Sequence, residues 1–169
     1  MVTANREMAV YCFDTLVAHY NSEQVPSPVF EEGHHALRDH RFPPIQPKEL
    51  PYLECTVSIL TNYESAFHYL DWEIGKHGLI IEFVDPDCNM ECSATYLPEV
   101  PAQEGWTKTE TIDSLMRKAG YDGAINESLR MRLHVTRYQS TLYTMHYRDY
   151  ATYVEMTRGT SLSINGAKP

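Results

Sequence analysis

The hydrophobic period of the chain switches from helical to alternating between residues 20 and 53, and this confines it to a mixed helix–sheet architecture. Met8, Cys12, Leu16 and Tyr20 recur at helical spacing, with Ala9, Phe13 and Val17 beside them, as one broad apolar helix face. Thr3 or Asn5 can cap its start by accepting from free backbone N–H groups, and Asn21-Ser22 with Pro26 and Pro28 ends it. After a proline-punctuated connector at 42–51, Leu53, Cys55, Val57 and Ile59 alternate with Glu54, Thr56 and Ser58, the pattern of a half-buried strand. A short helix is expected over 63–70, a turn at 75–78, and a more deeply buried strand at 79–84. A turn at Asp85-Pro86-Asp87 and a return strand at 92–97 then make a hairpin.

The pattern at 109–119 predicts a second helix, capped by Thr109 and stopped by Gly120, with Ile112, Leu115, Met116 and Ala119 inward. Met131, Leu133 and Val135 alternate, and a further strand at 141–147 is expected to pair with them. Tyr147, Tyr150, Ala151 and Val154 suggest a closing helix before a polar tail at 159–169. The class is α+β, with antiparallel sheet flanked by helices.

A chain of 169 residues can bury a real core as one domain or one domain in two lobes. The net charge of −9 argues against broad binding to nucleic-acid phosphates. Charge is uneven: eight acidic residues and one lysine lie between Glu82 and Asp113, whereas Arg117 to Arg148 holds six basic residues against Asp122 and Glu127. The N-terminal residues lack the pattern of a signal peptide, and no window approaches the ~20 apolar residues of a membrane helix. Cys12, Cys55, Cys88 and Cys92 are therefore expected as reduced thiols in the cytosol or nucleus.

Signals for chemistry are sparse. Cys88 and Cys92 lack the second ligand pair of a structural zinc site, and His34, His35 and His40 lack a His-Glu-x-x-His helix, so no metal is expected. There is no nucleophile elbow and no phosphate loop, and no cofactor is expected. Asp71-Trp72-Glu73 could raise one carboxyl pKa for acid–base work, but a turn whose Trp72 anchors the core while the acids face water is preferred. The segment 95–100 with Gly105-Trp106 is rigid, aromatic and polar, fit either to line a cleft or to act as a packed crossover.

Several ordered pieces carry a family resemblance. They are Ala4 to Asp14, Arg41-Phe42-Pro43-Pro44, Asp71 to Gly78, Thr95 to Val100, Glu104-Gly105-Trp106, Asp113-Ser114-Leu115, Arg117 to Tyr121 and Thr136-Arg137-Tyr138. Together they resemble the eukaryotic family named for the AMME-syndrome chromosomal region, the AMMECR domain. The resemblance covers nearly the whole chain, with the domain at 1–158. It implies a two-lobed α+β fold whose larger lobe has an antiparallel sheet and both termini, and a cleft between the lobes that could take a protein or another macromolecule. It brings no established activity, although prokaryotic relatives keep company with Memo-type and radical-SAM proteins.

The family's Leu-Arg-Gly-Cys-Ile-Gly segment, with the strands beside it, is absent from this chain. The bare join Gly33-His34-His35-Ala36 stands in its place, and the first lobe is expected to be incomplete and function impaired, as in a splice or gene-model variant. Tyr96, Glu99, Trp106, Asp113, Arg117 and Lys118 are the candidates for the cleft or for partner binding. The expected function is regulatory or scaffolding, with a protein partner. The alternative is an enzyme or enzyme partner acting on a macromolecule, with Glu99, Trp106 and Asp113 near the cleft and the missing cysteine as the reactive group.

Overall fold

The computed structural model describes residues 2–28 and 43–164. The three histidines at 34, 35 and 40, the join at 33–36 and Arg41-Phe42 lie outside the described residues.

Helix α1 spans Arg6–Asn21. Of the two expected caps it uses Asn5, whose side chain accepts from the Met8 N–H at 3.1 Å. Its apolar stripe buries Met8, Ala9, Val10, Phe13, Val17 and Ala18. A 3-10 turn, Pro47–Tyr52, interrupts the proline-rich connector and buries Leu50.

Strand β1, Glu54–Ser65, runs well past the predicted strand and occupies part of the stretch expected to be helical. The helix at 63–70 is thus corrected. Thr61 and Tyr63 suit a pleated surface, and the backbone beyond is captured by the sheet, the Ala66 N–H donating to the Val135 carbonyl at 2.8 Å. Strands β2, Gly78–Val84, and β3, Glu91–Tyr96, form the expected hairpin, in register from Leu79↔Tyr96 to Val84↔Glu91.

Strand β4, His134–His146, is one continuous strand where two were expected. No glycine or proline falls between residues 131 and 147 to turn the chain, so the pleat continues. It pairs antiparallel with β2 from Gly78↔Tyr138 to Glu82↔His134. The sheet order is β1-β4-β2-β3, and the α+β class with antiparallel sheet stands.

Among the remaining helices, α2 (Glu99–Glu104) and α4 (Glu127–Arg130) have too few residues to show a period, and neither was anticipated. Helix α3, Lys108–Lys118, is capped by Thr107 rather than Thr109. The Thr107 hydroxyl accepts from the Glu110 N–H at 3.2 Å, while the Glu110 carboxylate accepts from the Thr107 N–H at 2.8 Å, a reciprocal capping box. Gly120, at φ 94°, follows α3 in the left-handed region. Helix α5, Tyr147–Arg158, closes the fold as its stripe foretold, burying Tyr150 and Val154.

The chain divides into two compact units, one comprising Ile59–Thr141 and the other Thr3–Ser58 with Leu142–Pro169. The core of the first gathers Trp72, Leu79, Ile81 and Phe83 with Ile112, Leu115 and Met116. The core of the second gathers Ala9, Val10, Phe13 and Val17 with Met145, Tyr150 and Val154.

In the first unit, Gly78 lies flat against the Tyr138 ring. A Cβ there would stand 2.3 Å from two ring carbons. The ring is only 1% exposed, and its hydroxyl is anchored to the Thr95 hydroxyl and the Tyr96 carbonyl. Gly78→Ala is expected to lower stability by about 1–3 kcal/mol through overpacking. An unchanged melting temperature would show that the ring yields freely.

Candidate functional site

All six sequence candidates lie in one stretch of the first unit, between the end of β3 and the end of α3, and Tyr96, Trp106 and Lys118 come together there. Tyr96 ends β3, and Trp106 sits in the loop between α2 and α3. Their rings are 5.8 Å apart at 49°, and both are half-buried. The Lys118 ammonium lies 4.6 Å from the Tyr96 ring centroid and donates to the Thr95 carbonyl at 2.7 Å, with its side chain otherwise exposed. Such a cation over a ring contributes roughly 0.5–1 kcal/mol at an exposed site.

Two residues that the sequence did not single out complete the strip. Ser114, one helical turn before Lys118, shares a 3.0 Å hydrogen bond with the Tyr96 hydroxyl. Buried Tyr138 of β4 donates to the Tyr96 carbonyl at 2.9 Å, and its ring lies 5.5 Å from that of Tyr63, which is 55% exposed. Burial chiefly pushes the Tyr138 phenol above its ordinary pKa of 10, and Glu99 adds to the shift. Glu99 itself opens α2 and is half-buried.

The other two candidates serve the scaffold. Both oxygens of Asp113 are taken by Arg130, at 2.7 and 2.8 Å, in a bidentate pair. The same guanidinium reaches Glu127, whose carboxylate accepts from the Tyr69 hydroxyl at 2.9 Å. Arg117 donates to the Tyr121 and Gly123 carbonyls at 2.6 and 2.8 Å, holding the chain that follows α3.

The Asp71-Trp72-Glu73 turn takes the preferred form. Trp72 is 2% exposed, and its indole N–H donates to the Tyr69 carbonyl at 2.9 Å. Asp71 accepts from Arg137 at 2.9 Å. Glu73 is held below its ordinary 4.5 by the hydrogen bond from Lys76, the opposite of what a proton donor at neutral pH requires. Among the described residues, no group of three or more His, Cys, Asp or Glu converges as metal ligands. Nor is any described helix long and apolar enough to cross a membrane.

The second unit has a shallow depression of about 400 Å³ that the sequence did not signal. Asp14 and Tyr150 meet there only because α1 and α5 pack together across more than a hundred residues of chain. Asp14 accepts from the Tyr150 hydroxyl at 2.7 Å and from both Arg158 terminal nitrogens, at 2.8 and 2.7 Å. Its carboxylate is thus spent on the fold.

Comparison with known proteins decides the family. The AMMECR1 family model matches residues 18–143. The chain belongs to the AMMECR1 family. An uncharacterised Arabidopsis thaliana protein is 56% identical over 199 aligned positions, which take in 94% of this chain and 93% of that one. An uncharacterised Saccharomyces cerevisiae protein is 37% identical over 127 positions, 68% of this chain but 51% of its own length. The AMMECR1 domain also resembles the crystal structure of an uncharacterised protein from Pyrococcus horikoshii, with a TM-score of 0.52 and 27% identity. That likeness covers 67% of this chain and 55% of the archaeal one.

Proposed function

We propose that this AMMECR1 domain is a regulatory or scaffold protein that docks a protein partner on the aromatic strip of its Ile59–Thr141 unit. The observation that carries the reading is the convergence of Tyr96, Trp106 and Lys118. Two half-buried rings lie 5.8 Å apart, and an ammonium exposed to solvent stands over one of them. Tyrosine and tryptophan suit interfaces because they offer large rigid areas with a polar tip, and contacts of this kind concentrate binding energy. The lysine beside them favours partners that present carboxylates or free carbonyls next to an apolar side chain. The preorganisation helps too, because Ser114 and Tyr138 already hold Tyr96 in place.

Trp106→Ala should weaken capture of the partner by about 30-fold, the loss expected of an interface hot spot. Pull-down from cell extract with the intact chain, with Trp106→Ala, and with a version restoring the missing segment measures it. Absence of any retained protein from the intact and restored chains alike would defeat the reading.

The alignment with the Arabidopsis protein supports the proposal that an internal segment is missing here. It runs over 199 positions whereas the chain has 169 residues, so at least thirty of those positions are filled by the relative alone. We place the omission at the Gly33–Ala36 join, and expect the restored version to capture the partner more strongly. Asp113 does not favour the enzymatic alternative, since Arg130 occupies both of its oxygens.

A further inference from the structure

We propose that His77 is a proton-operated latch on the turn between Glu73 and Gly78, shut while its ring is neutral and released when the ring takes a proton. Two hydrogen bonds join the ends of this turn. The His77 N–H donates to the Glu73 carbonyl at 3.0 Å, and the Glu73 N–H donates back to His77 Nδ1 at 2.9 Å. Gly75, at φ 79°, supplies the left-handed residue between them. The second bond fixes the tautomer. An N–H can donate only to a ring nitrogen that carries no proton, so Nδ1 is bare and the single ring proton sits on Nε2.

Protonation at Nδ1 sets one N–H against another and leaves the Glu73 amide without its acceptor. Burial works in the same direction: the residue is 6% exposed, and a charged ring there loses most of its hydration. That loss is the largest of the influences that hold the ring below its ordinary pKa of 6.5. Lys76 of the turn and Arg137 of β4 also disfavour the cation, whereas Glu73 of the turn and Glu64 of β1 favour it. Both carboxylates are engaged by other cations, Glu73 by Lys76 at 2.9 Å and Glu64 by Arg137 at 3.1 Å. Helix α2 comes to the turn at the uncharged Ala102, 3.8 Å from where a Cβ on Gly75 would stand. His68 accepts from the Leu70 N–H at 3.1 Å in the same manner, but it is exposed, and water can replace either partner.

Because the closed turn favours the neutral ring, the open turn binds the proton more readily. The latch is therefore fully shut above the ordinary pKa of 6.5 and weakens as pH falls below it. Its release frees the segment that leads into β2 at Gly78, the residue that lies flat against the Tyr138 ring.

The test measures hydrogen exchange at the Glu73 amide of the full chain, intact and as His77→Asn, at about pH 7.5 and about pH 5, corrected for the intrinsic effect of pH on exchange. Asparagine places an acceptor oxygen where Nδ1 stands and does not titrate, and the other histidines titrate in both forms. Protection of the Glu73 amide should fall about fivefold or more in the intact chain and less than about twofold in His77→Asn. An equal fall in the two forms, or constant protection in the intact chain, would overturn the proposal. Nitrogen NMR of the intact chain checks it without any substitution. The neutral His77 ring should carry its proton on Nε2 and titrate below its ordinary pKa of 6.5. A proton on Nδ1, or a midpoint at or above that value, would overturn the latch as well.

Discussion

Replacing Trp72 by alanine is expected to lower stability by about 3–5 kcal/mol, the usual cost of deleting a large buried aromatic side chain. Trp72 is 2% exposed and sits in one cluster with Leu79, Ile81, Ile112 and Leu115. Its loss removes the apolar area of an indole, and a backbone-bound turn leaves the surroundings little room to collapse into the void. It also leaves the Tyr69 carbonyl without the indole N–H that it accepts at 2.9 Å. Lys108, which bonds the Leu70 carbonyl at 3.1 Å and stands 5.9 Å from the Trp72 ring, loses its cation–π surface as well. Set against a typical total of about 5–15 kcal/mol, such a loss brings the chain near the edge of folding. Thermal or denaturant unfolding measures it, and a loss below about 1 kcal/mol would mean that Trp72 does not anchor this core.

Phe13→Ala is expected to have a comparable effect on the second unit, again about 3–5 kcal/mol. The Phe13 ring is 3% exposed, stacks on Tyr150 with centroids 4.9 Å apart and meets Tyr147 edge-on at 5.7 Å. Aromatic pairs of this kind contribute roughly 0.5–1.5 kcal/mol beyond burial alone. Tyr150 also donates to Asp14 at 2.7 Å, so removal of its stacking partner loosens the hydrogen bonds that join α5 to α1. Phe13→Leu, which keeps most of the volume, should recover more than half of the loss in the same unfolding experiment.

What the sequence made legible follows from the range of each interaction. The α1 stripe, the β2–β3 hairpin and α5 were visible because period and punctuation are local: Asn5 caps within one turn, and Asp85-Pro86-Asp87 bends the chain where it stands. The missed features depend on partners remote in the chain. β1 runs on to Ser65 because β4 is there to pair with it, and the first residues of β4, His134 to Tyr138, are held beside β2. The cap of α3 was misplaced by two residues because two threonines flank Lys108, and only the reciprocal bonds with Glu110 separate Thr107 from Thr109.

The candidate site shows the same division. Tyr96, Trp106 and Lys118 were in reach of a sequence argument, since an aromatic, proline-bounded segment is an uncommon local composition. Ser114 and Tyr138 were not, because they meet Tyr96 from 18 and 42 residues away. Asp113 and Arg117 were candidates as well, and both lie in motifs that carry the family resemblance. The fold instead gives Asp113 to Arg130 and Arg117 to the carbonyls of Tyr121 and Gly123. An exposed charge on a helix announces its presence in a sequence but not its partner.

The aromatic strip is tested most directly by the affinity of a captured partner for three forms of the chain of equal melting temperature: the intact chain, Trp106→Ala and Phe67→Ala. Phe67 is 99% exposed and has no part in the strip, so it controls for nonspecific adhesion to an apolar ring. The expected result is an approximately 30-fold loss for Trp106→Ala and an unchanged affinity for Phe67→Ala. Full affinity in Trp106→Ala, or a loss confined to Phe67→Ala, would contradict the account.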